Sequence, residues 1–284
     1  SSSLVVEIAR DKTLYSQSFS RGVPTGPLAT LGSAPNRRGT MVTFTPDPEI
    51  FGEKARFKPA TLFRMAKSKA FLFAGVEIRW RCDPALLSDG EQTPSEAVLH
   101  YPGGLADYLN DATADKALMV STPFAELVEL DGQKFEWAIT WLGHGEDGFF
   151  NSYCNTVPTP LGGTHETGFR QAILRALRAF GELSGNRKAA DITADDVLAN
   201  TAVMLSVFLR DPQFQGQTKD RLVSTDATRV TEQAIRDRFD HWLSADASRA
   251  TFILESAIER AEERKRRKKE KEVARKSATR RLRL

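Results

Sequence analysis

Three stretches near the start of the chain are rich in β-forming residues, and in the last of them apolar and polar residues alternate, as is typical of a β-strand with one buried face. The three stretches are residues 4–9, 14–19 and 40–44. The segment between the second and third, residues 20–39, is rich in Pro and Gly and predicts turns and a long excursion. We therefore expect three neighbouring strands in this region.

A helical spacing of apolar residues follows from 57 to 73, and Pro59 suits the first turn of a helix. Residues 75–80 alternate again as a strand, and the polar stretch 83–95 predicts a hairpin loop. Two glycines then precede a short helical pattern, so we expect a domain boundary near Gly103. This first region is predicted to be α/β or α+β.

Further strands and a long helix are predicted after that boundary. Residues 136–141 and 152–157 have strand character, and a helix is expected to begin with Thr164 as its N-cap and Glu166 in its first turn. One face of that helix carries the apolar residues Phe169, Ile173, Ala176, Leu177 and Phe180. The helix is therefore expected to pack on a core.

Residues 192–201 carry a second cap-and-helix signal, and the unbroken apolar run 202–209 predicts a strand buried on both faces. Strand, helix and buried strand in this order indicate a crossover unit. From Val230 a helical period continues into the basic tail, which predicts one long helix or two nearly collinear ones. The end of this helix, residues 260–284, is expected to project as an arm.

The charge is unevenly distributed along the chain. Residues 260–284 contain thirteen Lys or Arg against four Glu, whereas the remaining residues carry 27 basic and 33 acidic side chains. The net charge of +3 therefore combines a mildly acidic body with a basic tail. No apolar run has the length of a membrane helix and no signal segment precedes the first strand, so a soluble, cytoplasmic protein is expected.

Cysteine and histidine usage excludes two kinds of site. Cys82 and Cys154 lie far apart without CxxC or Cys/His spacing, so neither a disulfide framework nor a zinc site is expected. The four histidines are scattered, and no Ser/His/Asp or Cys/His arrangement can be argued. The chain starts without Met and runs directly into strand-forming residues, which indicates a fragment of a longer protein.

The polar loop DPQFQGQTKDRL, residues 211–222, lies between the buried run and the last helical pattern. A loop at the end of a buried strand is a favoured place for ligand contacts in α/β proteins. Gly216 permits close backbone approach, Gln217 offers uncharged amide donors, and Lys219 offers an ammonium group suited to phosphate. A solvated turn explains the same residues, and the segment is not a P-loop. The pattern alone leaves both interpretations open.

Two other segments also have a structural and a functional interpretation. Residues 162–165, Gly-Gly-Thr-His, are either an anion site at a helix N-terminus or a turn and cap in which His165 packs or supports a neighbour. The basic tail is either a solvated arm or a contact for DNA or RNA. Its candidate contact residues are Lys265, Arg266, Arg267, Lys268 and Lys269.

Five segments taken together resemble the B subunits of bacterial type IIA topoisomerases, the family of gyrase and topoisomerase IV. They are SFSRGVPTGPL, GTMVTFTPDPEIF, YPGGLADYL, SYCNTVPTPLGGTHETGFRQAILRAL and DPQFQGQTKDRL. Their order and spacing match the family from about Leu4 to the end of the chain. The fourth segment lacks the Asn-Asn-Ile and the Asp before Gly-Gly that are associated with gyrase, so the topoisomerase IV B subunits are the closer resemblance.

The resemblance implies an α+β protein with two domains. Residues 1–102 would be the C-terminal part of a GHKL (Bergerat) ATPase domain, which is an α/β sandwich. Residues 103–284 would be a transducer domain similar to ribosomal S5 domain 2, with a long C-terminal helix that includes the basic arm.

The resemblance also implies nucleotide-binding residues. Gly39 and Thr40 match the family's Gly-Thr box, whose threonine faces adenine, and Arg10 matches a position at the mouth of the nucleotide pocket. Gln217 and Lys219 match its Gln-Thr-Lys loop, which reaches the γ-phosphate. The basic residues of the tail would be weaker DNA contacts.

The family's catalytic glutamate, magnesium-binding asparagine and glycine-rich lid would precede Ser1, and its TOPRIM carboxylates would follow Leu284. No catalytic or metal-ligating residue is therefore expected within the chain. By itself, the chain is expected neither to hydrolyse ATP nor to bind it well.

For the full-length protein, the resemblance implies a topoisomerase IV in which ATP and Mg²⁺ drive DNA strand passage, decatenation and relaxation. Its B subunits would form a homodimer and join two A subunits of topoisomerase IV in an A2B2 heterotetramer. This assembly would be associated with chromosomal DNA in the cytoplasm and not with a membrane. One alternative is a gyrase B subunit, which serves negative supercoiling. A second alternative is a non-enzymatic, nucleic-acid-binding S5-like module.

Overall fold

A computed structural model describes residues 1–87 and 92–281, with side chains of the last helix described as far as Val273. The described chain divides into two compact units, residues 1–62 with 92–93, and residues 63–87 with 94–281. The middle of the predicted 83–95 loop and the end of the predicted arm lie outside the described residues. The domain boundary near Gly103 stays a prediction.

The first unit is built around an antiparallel sheet. Its strands are β1 (Ser3–Arg10), β2 (Thr13–Ser20), β3 (Val23–Pro24), β4 (Ala29–Ser33) and β5 (Gly39–Thr45). They are ordered β3-β2-β1-β5, and β4 pairs with β2, so the three predicted strands are confirmed as neighbours. Asp11 and Lys12 form the β1–β2 turn at φ 51° and 61°, the left-handed conformation that two-residue hairpin turns favour.

Helix α1 (Pro48–Phe51) is a single turn in the first unit. Helix α2 (Pro59–Leu72) has its proline at the N-terminal end, as predicted, and runs from the first unit into the second. Strands β6 (Glu77–Arg81) and β7 (Glu96–His100) then pair as the predicted antiparallel hairpin.

The second unit contains a mixed sheet ordered β11-β10-β12-β9-β8. After α3 (Leu105–Ala112), its strands are β8 (Phe124–Leu130), β9 (Gln133–Trp141), β10 (Phe149–Cys154), β11 (Val157–Pro158) and β12 (Thr201–Phe208). β12 lies between β9 and β10, and seven of its eight residues are buried, which confirms the predicted fully buried strand. β10 and β12 are parallel, as a crossover requires.

The prediction of one strand over 152–157 is wrong. β10 ends at Cys154, and Asn155 and Thr156 form a turn at φ 48° and 66° before the short strand β11. The residues around the turn are β-forming, so the alternation pattern conceals the reversal. Asn tolerates the left-handed conformation better than most residues, and it is the one local signal of this turn.

Four helices complete the second unit. They are α4 (Thr164–Leu183), α5 (Ala194–Leu198), α6 (Thr225–Ser244) and α7 (Ala247–Arg281). The helical pattern from Val230 onward therefore belongs to two helices, which separate at Ala245 and Asp246. The apolar positions Ala250, Leu254, Ala257 and Ala261 of α7, which follow this helical period, are buried in the core.

The main core of the second unit lies between the sheet and the helices α4, α6 and α7. Its largest buried side chains include Trp137 and Trp141 of β9, Phe169 of α4 and Phe239 of α6. The mixture of sheets and helices confirms the predicted α+β class. Over the ranges that the structure describes, no helix combines the length and the apolar character needed to cross a membrane.

Candidate functional site

The 211–222 loop, which follows β12, is a short hairpin rather than an unsupported turn. Gln215 N donates to Arg221 O at 2.9 Å, and Val223 N donates to Gln213 O at 2.9 Å. The tip between these bonds contains Gln217 and Lys219, whose side chains are exposed. A hydrogen-bonded base therefore presents both predicted ligand-binding side chains to solvent.

A second segment, Gly162–Thr164, holds the end of this loop. Leu222 N donates to Gly162 O at 3.1 Å, and Thr164 N donates to Leu222 O at 3.1 Å. Gly163 is at φ 147°, and a Cβ at this position would collide with the carbonyl oxygen of Leu222. Only glycine therefore permits this approach of the two backbones.

The two side chains at the loop tip are free to bind a ligand. Lys219 Nζ lies 5.8 Å from the centre of the Phe214 ring, and no carboxylate of the described residues pairs with it. Within the same residues the Gln217 side chain makes no hydrogen bond. An unpaired ammonium group beside an uncharged amide is suited to a phosphate, which takes both charge and hydrogen bonds.

A buried polar network lies beneath the Gly162–Thr164 segment. Ser152 Oγ lies 2.7 Å from Glu166 Oε1 and 2.6 Å from Thr159 Oγ1, which in turn lies 3.1 Å from His165 Nε2. His165 is fully buried, and desolvation lowers its pKa to about 4, so it is neutral at pH 7. Desolvation raises the pKa of Glu166 despite its hydrogen bond from Ser152.

The structure favours the packing interpretation of residues 162–165. Thr164 N is already bonded to Leu222 O, and a Glu166 oxygen lies 2.8 Å from the place that a Cβ on Gly162 would take. A carboxyl group of the chain therefore occupies the helix N-terminus that an anion would need. The prediction of Thr164 as N-cap is wrong, because Gly163 takes that position and Thr164 is the first helical residue.

Because the pKa of His165 is lower in the folded protein than in the unfolded chain, its burial makes stability depend on pH. Its contribution is complete above about pH 6.5 and is lost as the pH falls towards about 4, a loss of about 3 kcal/mol. We expect the free energy of unfolding of the parent protein to fall more steeply between pH 7 and pH 4 than that of the His165→Gln variant. Denaturant unfolding at several pH values measures this difference, and equal slopes would contradict it.

The first unit brings together the other predicted ligand-binding residues. Ala9 pairs with Gly39 and Ile8 with Thr40, so Arg10 ends β1 beside the start of β5. These residues line an open cleft of about 850 Å³, which we call the β1–β5 cleft. Its charged residues are Arg10, Lys12, Arg37 and Arg38 against Asp11, which lies 3.6 Å from Arg10, so the basic side chains are in excess. The charge of the cleft suits an anionic ligand.

The basic segment of α7 is more strongly tied to the protein than a solvated arm would be. Lys265 Nζ lies 2.6 Å from Asp191 Oδ2, and Arg264 binds both carboxylate oxygens of Asp196 at 3.0 and 2.7 Å. Arg266 and Arg267 have acidic neighbours one helical turn away. Within the described side chains, Lys268 and Lys269 make no ion pair.

Residues 104–273, more than half of the chain, match the family model of DNA gyrase B. The chain belongs to the DNA gyrase B family. It is 52% identical to the topoisomerase 4 B subunits of Bartonella bacilliformis and Caulobacter vibrioides, and the matches cover 100% and 98% of the chain. The chain spans about 40% of the length of these relatives.

Two solved structures show the same fold. The ATPase domain of Thermus thermophilus gyrase B, in complex with an aminocoumarin, matches with a TM-score of 0.75 and 30% identity over 96% of this chain and 72% of that one. The ATP-binding domain of Francisella tularensis topoisomerase IV, in complex with an inhibitor, matches with a TM-score of 0.77 and 27% identity over 93% and 70%.

Sequence reasoning missed the residues that hold the 211–222 loop in this member of the gyrase B family. Asn155 bonds to both backbone groups of Leu209, just before the loop, and the glycine turn at 162–163 holds its end. Asn155 lies about 50 residues from Leu209 in sequence. Its position in a turn after a strand is a weak signal, and no spacing rule connects it to the loop.

Proposed function

We propose that this chain is the part of a topoisomerase IV B subunit that detects the γ-phosphate of ATP and couples it to DNA strand passage. The observation that carries the proposal is the tip of the 211–222 loop, where Gln217 and Lys219, which has no carboxylate partner among the described residues, are exposed on a hydrogen-bonded base. The family and the 52% identity to topoisomerase 4 B subunits support the same conclusion.

Within the first unit, the β1–β5 cleft is a second proposed nucleotide contact. Its basic lining suits the negatively charged phosphates of a nucleotide, and its volume of about 850 Å³ is within the range of small-molecule sites. Thr40, beside Gly39, would contact the adenine, and Arg10 would lie at the mouth of the pocket. The nucleotide would be ATP bound with Mg²⁺. Its γ-phosphate carries charge that ADP lacks, so the loop could distinguish the two nucleotides.

Two contacts that exist only with the triphosphate are sufficient for a switch. Hydrogen bonds to a charged group contribute about 1.5–3 kcal/mol each, so Gln217 and Lys219 together supply about 3–6 kcal/mol. Moving a two-state equilibrium from 1:99 to 99:1 requires about 5.5 kcal/mol. Binding by these residues would therefore hold one arrangement of the protein, and loss of the γ-phosphate would release it.

The proposal includes the domains and partners of the whole protein. Residues 1–102 would complete a GHKL ATPase domain, and residues 103–284 would form the S5-like transducer. Two B subunits would assemble with two A subunits on DNA in the cytoplasm. The basic segment 265–269 would make weaker DNA contacts, mainly through Lys268 and Lys269.

Reconstitution of the full-length B subunit with the A subunit of topoisomerase IV tests the function. We expect decatenation and relaxation that require ATP and Mg²⁺, without introduction of negative supercoils. Linked DNA circles and relaxed plasmid are the two substrates, analysed by gel electrophoresis. Negative supercoiling would indicate a gyrase B subunit, and DNA binding without any change of topology would favour a nucleic-acid-binding module.

A further inference from the structure

A hydrogen-bonded path joins α2 to the base of the 211–222 loop. Lys69 Nζ, on α2, donates to Thr156 O at 2.6 Å and to Thr156 Oγ1 at 3.0 Å. The two residues are 87 positions apart, so local chain geometry does not impose the contact. Partial burial lowers the pKa of Lys69, because its ammonium group has lost part of its hydration.

The turn that Lys69 contacts is bonded to the end of β12. Asn155 Nδ2 donates to Leu209 O at 3.0 Å, and Leu209 N donates to Asn155 Oδ1 at 2.9 Å. Asn155 N also donates to Val207 O at 2.9 Å. The Asn155 side chain therefore fixes the place where the chain leaves the sheet and enters the loop.

The 211–222 loop is thus fixed at both ends. Its entry is held by Asn155, and its exit is held by the backbone bonds between Leu222 and the Gly162–Thr164 segment. Movement of either end would displace the tip, because only a short hairpin separates them. The entry is held by a side-chain amide, whereas the exit is held by backbone hydrogen bonds and the buried side chain of Leu222.

We infer that Lys69 is a positioning residue for Gln217 and Lys219. It holds the turn that carries Asn155, and Asn155 sets the start of the loop whose tip binds the phosphate. The inference rests on the proposed function, since it assigns a support to the same site.

Lys67 provides a matched control on the same helix. Its Nζ pairs with Asp111 of α3 at 2.7 Å, and Lys67 is a partly exposed lysine like Lys69. Its partner lies outside the β10–β11 turn. Replacing Lys67 therefore removes a similar side chain and an ion pair without disturbing the entry of the 211–222 loop.

The test uses the full-length B subunit reconstituted with its A subunit, and measures ATP hydrolysis and strand passage in the same sample. We expect Lys69→Met to lower the number of strand passages per ATP hydrolysed about fivefold or more, the lower end of typical coupling between sites. Lys67→Met is expected to stay within about twofold of the parent. Lys69→Arg keeps the donors and is expected to restore most of the ratio.

Two further variants separate positioning from a general loss of stability. Asn155→Asp keeps the acceptor for Leu209 N and loses the donor, and is expected to lower the same ratio. If Lys69 acts through the loop tip, the number of strand passages per ATP in the double variant Lys69→Met with Gln217→Ala will be no lower than in the more affected single variant. If the fold-losses of the two single variants multiply in the double variant, Lys69 and Gln217 act independently and the inference is overturned.

The result for Lys219→Ala distinguishes failure of this inference from failure of the proposed function. An unchanged ratio in Lys69→Met, with strand passage lost in Lys219→Ala, overturns the positioning role alone. Normal strand passage in Lys219→Ala refutes the proposed function and the positioning role with it.

Discussion

Replacement of Lys219 by alanine is expected to abolish most ATP-dependent strand passage while DNA binding is retained. The ammonium group is exposed at the tip of a fixed loop and has no carboxylate partner among the described residues. Removing one charge-assisted hydrogen bond costs about 1.5–3 kcal/mol, which corresponds to a loss of about 10- to 150-fold. Decatenation at saturating ATP and a DNA mobility shift measure the two properties.

Two companion variants show whether the ammonium group or the loop conformation is responsible. Lys219 is at φ 60°, and asparagine tolerates this conformation, so Lys219→Asn removes the charge with little backbone strain. Gln215→Ala removes an exposed side chain of the same loop outside the Gln-Thr-Lys sequence. We expect Lys219→Asn to behave like the alanine variant and Gln215→Ala to behave like the parent. Strand passage at the parent rate in both Lys219 variants would exclude the phosphate contact.

Phe239→Ala is expected to lower the free energy of unfolding by about 3–5 kcal/mol. Phe239 is fully buried, and its ring centre lies 5.1 Å from that of Phe124, 5.7 Å from Trp242 and 6.2 Å from Trp141. The smaller side chain would leave a cavity at the junction of α6 with the sheet. Urea unfolding followed by tryptophan fluorescence measures the loss.

Phe252→Ala is the matched control for this prediction, since Phe252 lies on α7 and is 46% exposed. Its truncation leaves no internal cavity, so we expect the free energy of unfolding to fall by less than about 1 kcal/mol. Losses of the same size in both variants would show that the aromatic cluster around Phe239 contributes no more than surface packing does.

The buried strand β12 was predictable, whereas the chain reversal after β10 and the edge strand β8 were not. The run 202–209 is apolar at almost every position, and only a central strand buries both of its faces. Residues 152–157 also favour extended structure throughout, and the reversal at Asn155 depends on pairing of β10 with β12. Strand β8, residues 124–130, was not predicted, because its pairing with β9 decides its conformation.

The sequence predicted only those site residues that have a signal in their own segment of the chain. Gln217 and Lys219 were recognised because a polar loop follows a buried strand and matches a family motif. Their supports were not, because Lys69 and Asn155 reach the loop through contacts between distant residues. The pairing of Lys265 with Asp191 was missed for the same reason, since an exposed charge in a sequence gives no indication of its partner.

The position of β12 between β9 and β10 has a consequence for the order of folding. Thr201 pairs with Trp141 and Ala202 pairs with Phe149, so both sets of partners lie about 50 to 60 residues away in the chain. The hairpin of β8 and β9 closes over a two-residue turn and can form early. The central strand can enter the sheet only after a large loop has closed, and we expect its insertion to be the slow step because contacts between distant residues form slowly.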